Sequence, residues 1–225
     1  MIMKWAAAAA AAALALSLTS TTAHAAEARP AAAPQIVPIG VAVSALQLAA
    51  EDRTGYQRTS FRHWNAGELP SDGCNTRQEV LLAEAVVYPE IGPGCTLTGG
   101  VWWSYYDDQQ VTPAGALDID HMVPLAEAWD SGASSWTAQR REAYANDQGQ
   151  LSSLVAVTAR SNRAKADRDP AEWLPPLPEA VCRYGAEWTA TKLRWGLAVD
   201  EAERDRLLDI AAGCGGTDVE FTPAP

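Results

Sequence analysis

The chain has 225 residues, 48% of them hydrophobic and 20% charged, with a formal net charge of −11 at pH 7. That length holds one domain with a sizeable core. The acidity argues against a protein that grips nucleic acid by bulk charge alone, because such affinity comes from neutralising phosphates.

The N-terminus carries Lys4, an Ala/Leu-rich run from Trp5 to Leu18, and then Ala23-His24-Ala25. A basic start, a short apolar segment and an A-x-A pattern predict a secretory signal peptide over residues 1–25, and hence export to the extracellular space. The run is too short for a membrane anchor, which needs roughly twenty apolar residues, and no later segment reaches that length. Residues 26–43, rich in Ala and Pro without periodicity, read as a flexible leader. Residues 44–216 read as the folded domain and 217–225 as a C-terminal tail.

The four cysteines, Cys74, Cys95, Cys182 and Cys214, form no CxxC pair. An even number in an exported chain points to two disulfides rather than a zinc site. Three pairings are open. Cys74–Cys95 with Cys182–Cys214 is preferred because each closes a short loop on its own side of the central motif.

Ser44 to Glu51 predicts a short helix. Tyr56 to Trp64 mixes aromatics with Arg58 and Arg62, and His63 within it reads as a packed structural histidine rather than a second catalytic element. Thr76 to Val87 predicts an amphipathic helix, with Leu81, Leu82 and Val86 at helical spacing. The aromatic run from Val101 to Tyr106 predicts a strand, with a turn at Asp107-Asp108 and an antiparallel return at Val111-Thr112. Trp102, Trp103, Tyr105 and Tyr106 could stack on bases, but packing against the Cys74–Cys95 region is the preferred use. Trp129, Trp136 and Trp173 are read as core.

Leu117 to Val123 is the next strand signal, closed by Pro124. Ser134 or Ser135 caps a helix running to about Ala145, and Leu151 to Thr158 is a further strand. A short helix from Ser161 must stop before Asp169-Pro170, since a residue preceding proline avoids helix. Asp169-Pro170-Ala171-Glu172 carries its own helix-start signal. Asp200-Glu201-Ala202-Glu203 opens a last helix that Gly213 closes.

The chemistry gathers at Leu117-Asp118-Ile119-Asp120-His121-Met122-Val123-Pro124 and Ser161-Asn162-Arg163-Ala164-Lys165. The first sets a carboxylate beside one of only three histidines. The second places a neutral oxygen ligand and an amine three residues apart, on one face of a helix. Together they supply ligands for a hard cation, a base for water and a positive group for phosphate. Positive charge collects nearby, with Arg140, Arg141, Arg160, Arg163, Lys165 and Arg168 set against Glu142, Asp147 and Asp167. Solvated surface arginine is an equal reading for Arg140 and Arg141. One geometric demand follows. Adjacent residues of a regular strand point to opposite faces, so Asp120 and His121 share a site only at a bulge or a strand end.

The stretches IDHMVPLAEAW, AND and LVAVTARSNRAKADRDPAEWLPP resemble an HNH endonuclease of the ββα-metal type, in particular secreted relatives of the C-terminal nuclease domain of GmrSD restriction enzymes. The motif core spans residues 117–175, and a looser likeness runs from Tyr56 to Cys214. The resemblance implies an α+β fold, a ββα-metal core embedded in a mostly helical single domain with two disulfides. It implies His121 as general base, with Asp120 and Asn162 holding one Mg²⁺, for which Mn²⁺ can substitute. Lys165 would contact phosphate or neutralise the transition state. Asn146, or alternatively Gln150, would orient His121. Arg160, Arg163 and Arg168 would bind substrate. Asn162 stands where the family's usual third signature residue is His, a variant also found in the HNH domains of CRISPR effector nucleases.

The implied activity is a secreted, monomeric, metal-dependent endonuclease acting on DNA, with RNA as a second candidate substrate and no membrane partner once the signal is removed. Little sequence preference is expected, since no base-reading module accompanies the site. An exported antibacterial nuclease toxin and an inactive extracellular binding protein on the same fold are the alternatives.

Overall fold

A computed structural model describes residues 33–225. The expected signal peptide and the first part of the expected leader lie outside the described residues. The rest of that leader is structured. Strand β1 (Gln35–Pro38) runs into helix α1 (Ile39–Ala45), which buries Ile39, Ala42 and Val43. Low local periodicity hid these elements because their order comes from tertiary partners. The helix predicted over Ser44–Glu51 is displaced to α1, and residues beyond Leu46 are irregular.

Helix α2 (Thr76–Ala83) starts with a reciprocal capping box between Asn75 and Gln78, which satisfies two otherwise orphaned backbone N–H groups. It is shorter than its apolar pattern suggested. Strands β2 (Glu90–Gly92) and β3 (Thr96–Thr98) pair with each other, as do β4 (Trp102–Ser104) and β5 (Gln109–Val111). The Cys74–Cys95 disulfide ties the entry of α2 to the turn between β2 and β3. Trp102 is fully buried and donates through Nε1 to Leu81 O at 2.6 Å, whereas Trp103 is 48% exposed.

Strand β6 (Leu117–His121) follows, then α3 (Leu125–Asp130) and α4 (Ala138–Ala145). Thr137 caps α4, because Ala133–Ser135 close a separate 3-10 turn. Strand β7 (Leu154–Thr158) pairs antiparallel with β6 in an unbroken register from Leu117↔Thr158 to His121↔Leu154. Helix α5 (Ala159–Lys165) comes next and lies against the pair, so two antiparallel strands and a helix form one unit. Directly opposed residues share a face. Leu117, Ile119, Leu154 and Ala156 therefore pack with Val80, Leu81 and Trp102 on one side. Val155 and Val157 face the larger core on the other.

Asp169 behaves as a cap, accepting from the backbone N–H groups of Ala171 and Glu172. No helix follows it, because Pro175 and Pro176 prevent Leu174 and Pro175 from continuing one. The longest helix, α6 (Val181–Trp195), was not foreseen. It buries Tyr184, Trp188, Thr191 and Trp195 along one stripe and ends at Gly196 in the left-handed conformation, the usual helix stop. Helix α7 (Glu201–Gly213), capped by Asp200, packs close to it. Gly185 permits this approach, since a Cβ there would sit 2.8 Å from Ile210 Cγ2. The Cys182–Cys214 disulfide joins the start of α6 to the end of α7. Both disulfides match the preferred pairing.

The expected C-terminal tail is also part of the fold. Strand β8 (Asp218–Phe221) pairs with β1, burying Val219 and Phe221. The architecture is mixed α and β, with four two-stranded sheets among the described residues. No helix of the described residues is long and apolar enough to cross a membrane.

Candidate active site

The alternating apolar residues of β6 place Asp118 and Asp120 on the face covered by α5, and His121 on the other. The pairing shows no bulge at Asp120–His121. The conflict is resolved differently. Among the described residues β6 pairs with β7 alone, and a cleft of about 330 Å³ lies at the end of the strand. Ile119, Asp120 and His121 all line it, together with Asn162 and Arg163 of α5 and Arg58 from the 3-10 turn Arg58–Ser60. Both faces thus reach one cavity.

Helix α5 is fixed to this edge from its first turn. Thr158 caps it by accepting from Ser161 N, and Asp107 accepts from Ser104 Oγ, Thr158 Oγ1, Ser161 Oγ and Arg160 Nη2 at 2.6, 2.7, 2.9 and 3.1 Å. Partial burial pushes the Asp107 carboxyl up, but these four donors outweigh it and leave it below the usual range. Arg160 is therefore held away from the cleft lining. Arg168 bonds Ala164 O and also lies outside that lining. Of the three arginines expected to bind substrate, Arg163 alone lines the cavity.

Asp118 was not among the expected site residues. Its Oδ2 accepts from Asn162 Nδ2 at 3.3 Å and lies 3.4 Å from Arg163 Nε. Since a carboxylate can only accept, the Asn162 amide is turned with its NH₂ toward Asp118, leaving its carbonyl oxygen available as a ligand. A second carboxylate on the Asp120 face was the available sequence signal.

Lys165 differs most from expectation. It is fully buried, and its ammonium donates to Asp120 Oδ2 at 2.5 Å, Met122 O at 2.8 Å and His121 O at 3.0 Å. All three protons are used, so none is available to a substrate phosphate. The physical reason is reach. From the last turn of α5 the side chain passes under the strand end, where it fastens two carbonyls and a carboxylate. Asp120 Oδ2 also accepts from Tyr106 Oη at 2.6 Å. Burial raises Asp120 and lowers Lys165, and their contact opposes both shifts. Asp120 Oδ1 has no protein partner among the described residues. Asp120 and Asn162 both line the cleft, and each has an oxygen with no protein donor among the described residues.

His121 is 7% exposed. Its Nε2 lies 3.0 Å from Ala145 O, and a carbonyl only accepts, so Nε2 carries the proton and Nδ1 is the free base. Burial is the main cause that lowers the imidazole to about 3, opposed by the Ala145 bond and assisted by His63 and Arg58. The ring stacks on Trp64 at 5.4 Å and meets His63 edge-on at 6.2 Å. His63 is thus packed as expected, but against the key imidazole.

The residue expected to orient His121 acts one step removed. The ring bonds Ala145, at the end of α4, and the side chain of the following Asn146 ties down the neighbouring segment. Asn146 Oδ1 accepts from Asn65 N at 2.9 Å and Thr76 Oγ1 at 3.1 Å, and Nδ2 donates to Arg62 O at 2.9 Å and Glu142 O at 2.8 Å. This anchors Trp64, a bulky residue held at φ 60°, where strain of about 1–3 kcal/mol is usual. Gln150 bonds Ser152 and Glu220 O and takes no part.

Residues 97–210, which include both strands and the helix of this site, match the family described as GmrSD restriction endonucleases, C-terminal domain, and the chain belongs to that family. It is also similar to a protein of Arthroderma benhamiae called an uncharacterized secreted protein, 40% identical over 160 residues that make up 71% of this chain and 76% of the relative. No solved structure matches the chain.

Proposed function

We propose that the chain is an exported, divalent-metal-dependent endonuclease of the HNH type that hydrolyses phosphodiester bonds of DNA, with RNA as a second candidate substrate. The observation carrying this reading is the convergence of Asp120, His121 and Asn162 on one cleft from a strand edge and a facing helix. Membership of a restriction-endonuclease domain family supports the reaction class. The two disulfides and the name of the secreted relative support export.

Asp120 through Oδ1 and Asn162 through its carbonyl oxygen would hold the ion, Mg²⁺ or Mn²⁺. Bound there, such an ion supplies positive charge against the phosphate and the leaving oxygen. His121 accepts a proton from the attacking water at Nδ1, while its Nε2–H bond to Ala145 fixes the tautomer. Burial, which lowers the ring to about 3, keeps it neutral and so in the acceptor form, though it also weakens the free ring as a base. An entering phosphate anion stabilises the imidazolium and strengthens the base as the reaction needs it. Lys165 and Tyr106 fix the Asp120 carboxylate, so that only one of its oxygens faces the cleft.

The test is incubation of the mature protein with plasmid, linear and single-stranded DNA and with RNA, in Mg²⁺ or EDTA, beside His121→Ala. Cleavage should require the ion and vanish in the variant. Cleavage that survives EDTA or the alanine substitution overturns the mechanism, and no cleavage with any divalent ion favours a binding protein on this fold.

A further inference from the structure

Any nuclease must meet phosphate with positive charge, and here the candidates narrow sharply. Both lysines of the described residues are fully buried in ion pairs, Lys165 with Asp120 and Lys192 with Glu127 and Glu203. Arg160 is committed to Asp107, and Arg168 lies outside the cleft. Arginine reaches the cleft from two sides only, Arg163 on α5 and Arg58 on the turn before Phe61.

Arg58 is exposed, and no carboxylate among the described residues pairs with it. Arg163, by contrast, leans on Asp118 at 3.4 Å. The turn bearing Arg58 is built rather than loose. Arg141 Nε donates to Ser60 O at 3.2 Å, and Phe61 is wholly buried against Trp129 and Tyr144. A few residues on, Asn146 pins Arg62 O and Asn65 N. The backbone that presents Arg58 is therefore tied to the same helix, α4, whose last residue bonds His121. Arg58 also lies upstream of residues 97–210, the part of the chain shared with the family.

We propose that Arg58 is a substrate-binding residue that contacts a backbone phosphate next to the scissile one, from the wall opposite α5. The contact rests on the nuclease reading above and adds to it a second point of grip on the nucleic-acid strand. A guanidinium already lacking a protein partner gives up no ion pair to take a phosphate, and its planar fork suits two phosphate oxygens. The contact is electrostatic and carries no base preference.

The test compares wild type with Arg58→Gln, Arg58→Lys and the control Arg62→Gln, whose exposed guanidinium sits near Glu142 and outside the cleft lining. Binding of a single-stranded oligonucleotide is followed by fluorescence anisotropy in EDTA across a salt series, and cleavage is followed with Mg²⁺. Arg58→Gln should weaken binding and raise KM about tenfold, the loss of one charge-assisted contact, with kcat nearly unchanged. Its salt dependence should be shallower by about 0.7 in the log–log slope. Arg58→Lys should keep the wild-type salt slope but recover only part of the binding, since it keeps the charge and loses the fork, and Arg62→Gln should match wild type. Wild-type affinity and slope in Arg58→Gln, or an equal loss in Arg62→Gln, overturn the assignment. A wild type that binds but never cuts refutes the nuclease reading while leaving the Arg58 comparison decisive. A wild type that neither binds nor cuts refutes both.

Discussion

The fully buried ammonium of Lys165 lies 2.5 Å from Oδ2 of Asp120, and Tyr106 Oη donates to the same oxygen. Lys165 belongs to the scaffold behind the cleft, whereas its partner Asp120 lines it. Removing one partner of a buried pair leaves an uncompensated charge, which costs about 3–5 kcal/mol.

Lys165→Met should therefore lower stability by about that amount in urea unfolding. Activity should be lost through unfolding of the strand end and not through a raised KM. A stable, soluble Lys165→Met protein with weakened substrate binding would restore a direct phosphate role for the lysine.

His121 gives stability a distinctive acid dependence. Its folded value of about 3 lies below the ordinary 6.5, so between those values the unfolded chain takes up a proton that the folded one refuses. The contribution is complete above about pH 6.5 and is lost as pH falls toward 3, with a slope of at most roughly 1.4 kcal/mol per unit. Thermal unfolding of wild type and His121→Gln at pH 7, 5.5 and 4 isolates this residue from the carboxylates. The wild type should lose more stability over that range than the variant, and parallel losses would contradict the burial argument.

Glu84 works in the opposite sense. It accepts from Ala156 N at 2.9 Å on β7, and burial raises its carboxyl from 4.5 to about 7. The folded state keeps a proton there that the unfolded chain releases. Its stabilisation is full below about 4.5 and disappears as pH rises through 7. Glu84→Gln preserves an acceptor without the charge, so at pH 8 it should be more stable than wild type by roughly 1–3 kcal/mol, with the gap closing near pH 5. A variant less stable than wild type at pH 8 would show that the ionised carboxylate is well solvated.

Much of the site was legible because its residues sit close in sequence or on one helical turn. Asp120 beside His121, and Asn162 one turn from Lys165, announce a strand edge facing a helix. The burial of Lys165 is not legible in the sequence, because residue type alone does not tell a buried ammonium from a free one. That distinction rests on the carbonyls of His121 and Met122, which present themselves only after β6 ends. The bond from His121 to Ala145 carries no side-chain signature either, since any residue offers the same carbonyl. Asn146 is visible as a polar residue at a helix end, yet its partners Arg62, Asn65 and Thr76 are remote in sequence. For the fold, the cap Asp200 is legible because it acts over three residues. Strands β1 and β8 are not, because neither has a meaning without the other.

That last dependence sets a limit on how the chain can be processed. Strand β1 begins at Gln35, two residues into the described part of the chain. A peptidase that removed Gln35–Pro38 would strip β8 of its partner and uncover Val219 and Phe221. A clip before Asp218 would do the same to β1 from the other end. The two ends of the described chain thus guard each other, and any affinity tag or fusion joined at either end needs a spacer outside this strand pair.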